Sequence, residues 1–323
     1  MPRSPVCFGC LILAAAILAI TTLVSGPVEI SLSGLFGALT DPGCQSVANR
    51  ILWDLRVPRV LAAVLAGASL SVAGLSLQTI FQNPLCGPFV LGISSGASFG
   101  VALSLLAGFS FGRFGVLGAA SAGALAVTAL VLWISSRFEG RTVLLVAGLL
   151  VGYFIDAMVS LLIVGAESEA LRVYVSWGMG SFGRLTLDGA FLFALAVAVG
   201  LLLTVSSLRY LNAARLGDEF ARGLGISVKS RKTCVLLGAS ILAGASTAFC
   251  GPVAFVGIAV PHLAFMLFKT TNHRILLPGT ALCGAVLSLA AGLLPALPLN
   301  AVLSLVGVPV ILWVLLRGSR RGL

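Results

Sequence analysis

Few residues in this chain could do chemistry, because Asp, Glu, Lys and Arg together make up only 9% of it. Cys7 and Cys10 have the C-x-x-C spacing of metal-binding and redox pairs, but no second pair and no nearby His accompany them. We therefore interpret them as two small apolar residues of a helix. His262 follows Pro261 with no second ligand at a suitable spacing, which favours a helix-end hydrogen-bonding role. No metal site is predicted.

Asp156 is the one formal charge well inside an otherwise apolar stretch. An ionisable group within a membrane span is costly and often functional, so Asp156 could line a pathway or pair inside the protein. Its neighbours Gly152 and Ser160 favour instead a helix-packing face, where the carboxyl group would hydrogen-bond a neighbouring helix. The sequence leaves both interpretations open.

Long charge-free runs determine the fold class. The stretch 60–112 carries no charged residue, and a membrane-spanning helix needs only about 20 apolar residues, so such runs must cross twice. Backbone N–H and C=O groups cannot face lipid without hydrogen-bond partners, so we expect these runs to form helices. We predict an all-α polytopic membrane protein, a single transmembrane domain over 1–323 with about ten spans. The predicted spans are 6–25, 58–81, 90–108, 114–135, 142–164, 189–207, 232–250, 253–268, 276–294 and 298–316.

The loop charges predict the orientation of these spans. Most of the 20 Lys and Arg fall on one side, which the positive-inside rule assigns to the cytoplasm together with both termini. The net charge of +10 then anchors the chain at the inner leaflet and is not a nucleic-acid signature. The apolar stretch after Arg3 lacks a convincing cleavage site, so we expect a retained first span. A short apolar segment at 173–182 is too small to cross.

The segment "RLGDEFARGLGISVKSRK" at 215–232 is unusually polar for this chain. Asp218 and Glu219 suit the start of a short helix, and Arg222 follows at a spacing that allows local ion pairs. Gly223 and Gly225 are expected to end that helix. One face would carry an apolar row of Leu216, Phe220 and Leu224. The segment could plug a groove on a soluble partner, or could be an ordinary positive-inside loop.

Several blocks from Trp53 to the C-terminus recur in an order that resembles a known family. They are "WDLRVPRVLAAVLAGASLSVAGLSLQTIFQNPLCGPFVLGISSGASFG" at 53–100, "LGDEFARGLGISV" at 216–228, "AGASTAFCGPVAFVGIAVPHLAF" at 243–265 and "VGVPVILWVLL" at 306–316. The chain is similar to the FecCD family of ABC-importer permeases for iron-siderophore, haem and cobalamin. The resemblance implies a type II importer permease with ten spans that forms homodimers. Each subunit would dock one cytoplasmic ATPase, so two per dimer, and an extracytoplasmic binding protein would deliver the chelate.

The resemblance also implies roles for particular residues. The cytoplasmic coupling segment, at about 209–231, would hold the ATPase. Its implied contact face is Asp218, Glu219, Phe220 and Arg222, completed by Leu216, Gly217, Gly223, Leu224 and Gly225. The implied cytoplasmic gate is Asn83, Pro84, Leu85, Arg141 and Thr142. Arg56 and Arg59 would pair with glutamates of the binding protein, although interfacial anchoring is the plainer interpretation of both.

The sequence departs from the family pattern before the last span. The region reads "LAAGLLPALPLNAV", with Ala296 where a glutamate is expected and Asn300 where a glycine is expected. The family's third docking arginine has no counterpart, which puts the geometry of binding-protein docking in doubt.

Two echoing stretches indicate an inverted repeat. "CGPFVLG" at 86–92 and "CGPVAFVG" at 250–257 each follow a span rich in small residues, and the predicted topology places them at opposite faces. Transporters built from inverted repeats give that placement.

These observations predict the permease subunit of an ATP-driven importer of ferric siderophore, haem or cobalamin in a bacterial or archaeal cytoplasmic membrane. The chain has no G-x-x-x-x-G-K-[ST] loop, so catalysis, ATP and Mg²⁺ are expected on a partner chain, and no cofactor on this one. The alternatives are a stand-alone proton-coupled transporter using Asp156, and a membrane scaffold. The sequence does not say which chelate is carried.

Overall fold

The structure is a computed structural model that describes residues 3–25, 46–109, 115–137, 141–294 and 297–319. Within these residues all regular secondary structure is helical. The α-helices are α1 (Arg3–Val24), α2 (Val57–Phe81), α3 (Ile93–Leu105), α4 (Gly115–Arg137), α5 (Arg141–Val164), α6 (Ser168–Gly178), α7 (Leu187–Ser206), α8 (Leu208–Ala214), α9 (Asp218–Gly223), α10 (Val228–Cys250), α11 (Val256–Phe268), α12 (His273–Gly292) and α13 (Leu299–Ser319). A helical turn (Val47–Arg50) and a π-helical stretch (Ile51–Arg56) lead directly into α2.

Each predicted span is confirmed as a helix, with ends shifted by a few residues. Among the described residues, 7 helices are long and apolar enough to cross a membrane. The remaining predicted spans are the shorter apolar helices Ile93–Leu105, Val256–Phe268 and Leu299–Trp313. The segment predicted not to cross overlaps α6, which is only 11 residues long.

Helix α2 lies at the centre of the bundle, where it packs against α12, α10 and α11. Small residues allow these close approaches. A Cβ added to Gly67 would lie 2.2 Å from the Gly284 carbonyl oxygen, and one added to Gly74 would overlap the backbone of Gly257. Any larger residue at these positions would force the helices apart, as expected where membrane helices pack through backbone contact.

The two "CGP" stretches lead into short helices that begin inside the bundle. α3 and α11 each have 13 residues; α3 follows a 3-10 turn (Pro88–Leu91), and α11 follows irregular backbone at 251–254. The segment before α3 meets the first turn of α11 beside α2, because a Cβ on Gly87 would lie 2.7 Å from Ile258 Cγ1 and one on Gly257 would lie 2.8 Å from Pro88 Cδ. Gln78 Nε2 donates to the Ile258 carbonyl at 3.1 Å. Discontinuous helices near the centre are typical of transporters built from inverted repeats, and backbone outside α-helices is tolerated inside a bundle because protein surrounds it.

The bundle has two ends, which we name by their residues. The basic end holds the last turns of α2 and α7, residues 207–227 and the first turns of α10 and α12. The opposite end holds α6, residues 179–186 and residues 251–254, together with the first turn of α2 and the last turns of α1 and α12.

Candidate functional site

The coupling segment contains a short, sharply delimited helix. α9 begins after Gly217, whose φ of 109° is disfavoured for other residues. At its other end the Ile226 N–H donates to the Ala221 carbonyl, and the Gly225 N–H donates to the Arg222 carbonyl. With Gly225 at a φ of 73°, this is a Schellman motif. The predicted glycine stop is therefore confirmed.

The predicted apolar row is displayed on the surface of this segment. Leu216, Phe220 and Leu224 are 69%, 46% and 60% exposed. Ala221, on the other face of α9, is fully buried and ties the helix to the hydrophobic core. The segment thus presents apolar side chains while its back is held by the bundle.

A buried tyrosine fastens the start of α9 to α8. Tyr210 is 1% exposed, and its hydroxyl donates to Asp218 Oδ1 at 3.3 Å. Asp218 also lies in the first turn of α9, where its carboxylate complements the helix dipole. The acid predicted for the contact face is therefore partly used to position the helix.

The coupling segment is joined directly to the end of α2. Gln82 follows α2 in a left-handed conformation with a φ of 49°, which turns its side chain towards the segment. Its Nε2 donates to the carbonyls of Ala214 and Arg215, at 2.9 and 3.2 Å. These two bonds tie the coupling segment to the loop that begins at Gln82.

That loop contains the predicted gate residues Asn83, Pro84 and Leu85. The Asn83 carboxamide oxygen accepts from the Leu85 N–H at 2.9 Å, and the Pro84 carbonyl lies 2.9 Å from His262 Nε2 on α11. Leu85 itself is exposed. His262 is thus a hydrogen-bonding group, as predicted, but it lies in the middle of α11 and not at a helix end, and it links α11 to the gate loop.

The other two predicted gate residues, Arg141 and Thr142, have side chains outside the described part of the chain. Their backbone forms the start of α5. Farther along α5, a Cβ on Gly148 would lie 2.6 Å from the Val90 carbonyl oxygen. α5 therefore packs against the continuation of the gate loop.

Sequence reasoning missed a buried polar network at the basic end. His273 is fully buried, and its Nδ1 and Nε2 lie 2.9 Å from Asn212 Oδ1 and Thr79 Oγ1. The Asn212 oxygen also accepts from the His273 N–H at 2.9 Å. Three helices, α2, α8 and α12, are joined by these contacts. The Asn272–His273 pair at a helix start was the available signal, because Asn is a favoured N-cap.

Arg56 and Arg59, predicted to dock the binding protein, are engaged within the bundle. Arg56 is 6% exposed, and its Nη1 donates to the carbonyls of Leu23 and Val24 at the end of α1. The half-buried Arg59 donates from Nη2 to the Gly292 carbonyl at the end of α12, at 2.6 Å. Both arginines therefore tie helix ends together inside the protein, and the docking and interfacial-anchoring roles stay predictions.

Asn300, one of the departures from the family pattern, joins three segments at the opposite end. Its Oδ1 accepts from the Ala254 N–H at 2.8 Å, and its Nδ2 donates to the Gly178 carbonyl at 3.2 Å. Nearby, Arg184 donates to the carbonyls of Trp177 and Ser176 in the last turn of α6. Ala296, the other departure, lies outside the described residues.

Asp156 lies on the exposed side of α5 in this single chain. The pKa of the Tyr174 phenol on α6 is raised, first by burial and second by the Asp156 carboxylate. Asp156 is therefore close enough to α6 to act electrostatically on Tyr174. The Ser160 hydroxyl donates to the Asp156 carbonyl, not to its carboxylate. In a membrane, an exposed carboxylate at this position needs either a partner subunit or water around it.

The architecture defines a polytopic membrane permease, with broken helices at its centre and a short amphipathic helix displayed at one end. Residues 12–317 match the FecCD transport family, so the chain belongs to that family. It is the transmembrane permease subunit of an ABC transporter, not the ATPase. Membership also decides against the alternatives of a stand-alone proton-coupled transporter and a scaffold.

Named relatives agree with this assignment. The chain is 34% identical to the hemin transport system permease protein HmuU of Yersinia pestis, over 96% of this chain and 95% of that protein. It is 34% identical to the vitamin B12 import system permease protein BtuC of Salmonella typhi, over 83% and 84% of the two chains. A solved metal-chelate type ABC transporter in an inward-facing conformation superposes with a TM-score of 0.81 and 29% identity, over 97% of this chain and 99% of that chain.

Proposed function

We propose that this permease imports a metal chelate, a ferric siderophore, haem or cobalamin, as a homodimer served by two ATPase subunits and an extracytoplasmic binding protein. The basic end faces the cytoplasm in this proposal, in accordance with the positive-inside rule. Haem and vitamin B12, which the names of the two relatives specify, are both metal chelates.

The observation that carries the proposal is the exposed apolar row at α9. Phe220 lies on this helix and Leu216 and Leu224 flank its two ends, while Tyr210, Ala221 and Gly225 fix its position. An amphipathic helix that lays its apolar face in a groove is a common mode of protein recognition. The ATPase would grip this row, and the Gln82 contacts would pass its movement to the gate loop.

The exposure of α5 supports the homodimer. Tyr153, Phe154 and Leu161 are exposed on the same helix as Asp156. A second copy packed on this helix would cover the aromatic side chains and enclose Asp156 in the interface or pathway. Charged residues inside membrane spans face a bundle interior or a water-filled cavity for this reason.

Docking of the binding protein is assigned to the opposite end. In the geometry described, Arg59 has more freedom than Arg56 to meet a carboxylate, since Arg56 is nearly inaccessible. We expect Arg56 to shape the docking surface and Arg59 to contribute to it directly.

The test is co-purification from native membranes in mild detergent, comparing wild type with Phe220→Asp. We expect an ATPase subunit with wild type and its loss with the variant, because a charge at the centre of the row cannot enter an apolar groove without desolvation. Chelate uptake should fall in parallel.

Phe220→Leu is the matched control, since it keeps an apolar side chain at the same place and should retain the ATPase. The proposal fails if both variants, shown to be folded by thermal unfolding, recover the ATPase as well as wild type does.

A further inference from the structure

A large basic cavity opens beside the coupling segment at the basic end. Its volume is about 1310 Å³, and its lining includes the four arginines Arg209, Arg215, Arg231 and Arg274. No carboxylate is among the described residues that line it. Charge alone therefore points to an anionic occupant.

The arginines are arranged around the cavity, and they come from different helices. Arg231 on α10 donates to the Ser206 carbonyl at 3.4 Å, and the Arg215 guanidinium lies 5.2 Å from the centre of the Phe265 ring. Arg209 belongs to α8 and Arg274 to the first turn of α12, and both are exposed. Donors that converge from several helices suit a ligand with several acceptor oxygens, such as a phosphate.

A buried hydroxyl provides an independent indication of a ligand. Ser207 lines the cavity at 1% exposure, and its Oγ has no hydrogen-bond partner in the described part of the chain. A buried polar group without a partner is costly and uncommon in native structures. An oxygen of a bound phosphate would satisfy it.

The surroundings of the cavity indicate which kind of phosphate compound would bind there. Val199, Leu202 and Val205 form an exposed apolar face along the last turns of α7, and Val205 is also part of the cavity lining. The lipid-facing surface of a spanning helix thus leads directly into the basic cavity. An occupant with a phosphate group and acyl chains would use both surfaces, whereas inorganic phosphate would use only the arginines.

We propose that this cavity binds the headgroup of an anionic phospholipid, with its phosphate among Arg209, Arg231, Arg274 and Ser207 and its acyl chains along α7. Basic pockets at the ends of spanning helices bind acidic lipid headgroups by this chemistry. Leu216 and Leu224 also line the cavity, so the lipid would border the apolar row that the proposed function offers to the ATPase.

The test is a lipid titration of the purified full-length chain, followed by native mass spectrometry with dioleoylphosphatidylglycerol and dioleoylphosphatidylcholine. The double variant Arg209→Gln/Arg274→Gln should bind phosphatidylglycerol about thirtyfold more weakly, since each basic residue near a membrane surface contributes roughly a fivefold preference. Phosphatidylcholine binding should not change. The matched control, Lys229→Gln/Arg137→Gln, removes two exposed basic residues outside the cavity and should bind phosphatidylglycerol as wild type does.

A second variant, Ser207→Ala, separates ligand binding from folding. Without lipid its thermal stability should equal or exceed that of wild type, because the variant removes an unpartnered hydroxyl. Its affinity for phosphatidylglycerol should nevertheless fall several-fold. Unchanged affinity in this variant would overturn the placement of the headgroup.

Two other results would overturn the proposal. Equal losses of phosphatidylglycerol binding in the cavity and control double variants would show only a general charge effect. If inorganic phosphate raises the Tm of wild type as much as phosphatidylglycerol does, and the cavity variants lose both effects, the ligand is free phosphate and not a lipid.

Discussion

At the opposite end of the bundle, three arginine side chains donate to the carbonyls of helix ends and Asn300 adds a neutral link, whereas at the basic end the links are neutral apart from one long bond, 3.4 Å, from Arg231 to the Ser206 carbonyl. Arg56, Arg59 and Arg184 contact the last turns of α1, α12 and α6 respectively. Gln82, Asn212 and Tyr210 make the corresponding links at the basic end. The same task, tying helix ends together, is done by two kinds of hydrogen bond.

The difference has an energetic consequence. A cation at a helix C-terminus gains both a charge-assisted hydrogen bond and a favourable interaction with the helix dipole. Each neutral hydrogen bond contributes about 0.5–1.5 kcal/mol to stability, roughly half the contribution of a hydrogen bond from a charged donor. We infer that the opposite end is the more rigid one and that changes of shape during transport are concentrated at the basic end, where the proposed ATPase contact lies.

Arg56→Ala should produce the largest loss of stability. The variant leaves the carbonyls of Leu23 and Val24 without their cationic donor in a buried place, at a cost of about 3–4 kcal/mol. Thermal unfolding of the detergent-solubilised chain measures the change. The control is Arg50→Ala, which changes an exposed arginine earlier in the same helical segment and should leave Tm nearly unchanged. Equal Tm values for the two variants would contradict the inference that arginine side chains stabilise the opposite end.

Asn300→Ala should have a smaller effect at the same end. It removes the hydrogen bonds that the carboxamide makes to Ala254 and Gly178, a loss of about 1–2 kcal/mol. Ser304→Ala, which loses only a bond to a carbonyl of its own helix, is the control for Tm. Because Asn300 joins residues 251–254 to α6 and α13, binding-protein docking should weaken as well. A Tm equal to that of the control would contradict the role given to Asn300.

The sequence predicted what depends on neighbours along the chain. Hydropathy located the spans, and the glycines after α9 located its end, because a Schellman motif involves only consecutive residues. The exposure of Leu216, Phe220 and Leu224 agrees with the prediction, but only Phe220 lies on α9, because the left-handed Gly217 separates Leu216 from the helix and Leu224 is its C-cap.

Links between distant parts of the chain could not be predicted. His273 and Thr79 are 194 positions apart, and Gln82 and Ala214 are 132 positions apart. Arg56 was assigned to an external partner from the family resemblance, because the sequence alone could not reveal its carbonyl partners 32 and 33 positions away. Such contacts depend on how the helices are arranged around α2, which hydropathy does not specify.

Gln82→Gly should have the smallest effect on stability and the clearest effect on coupling. The variant loses two hydrogen bonds to the coupling segment, but glycine relieves a left-handed conformation that costs other residues about 1–2 kcal/mol. Tm should therefore stay close to that of wild type. In proteoliposomes that contain the whole transporter, chelate uptake per ATP hydrolysed should fall, because the ATPase would still grip α9 while the gate loop no longer follows. Gln82→Asn tolerates the same backbone conformation with a shorter side chain, and it should lose coupling too. An unchanged ratio of chelate uptake to ATP hydrolysis in both variants would mean that the movement reaches the gate by another route. The His273 network would then be the next contact to disrupt by mutation.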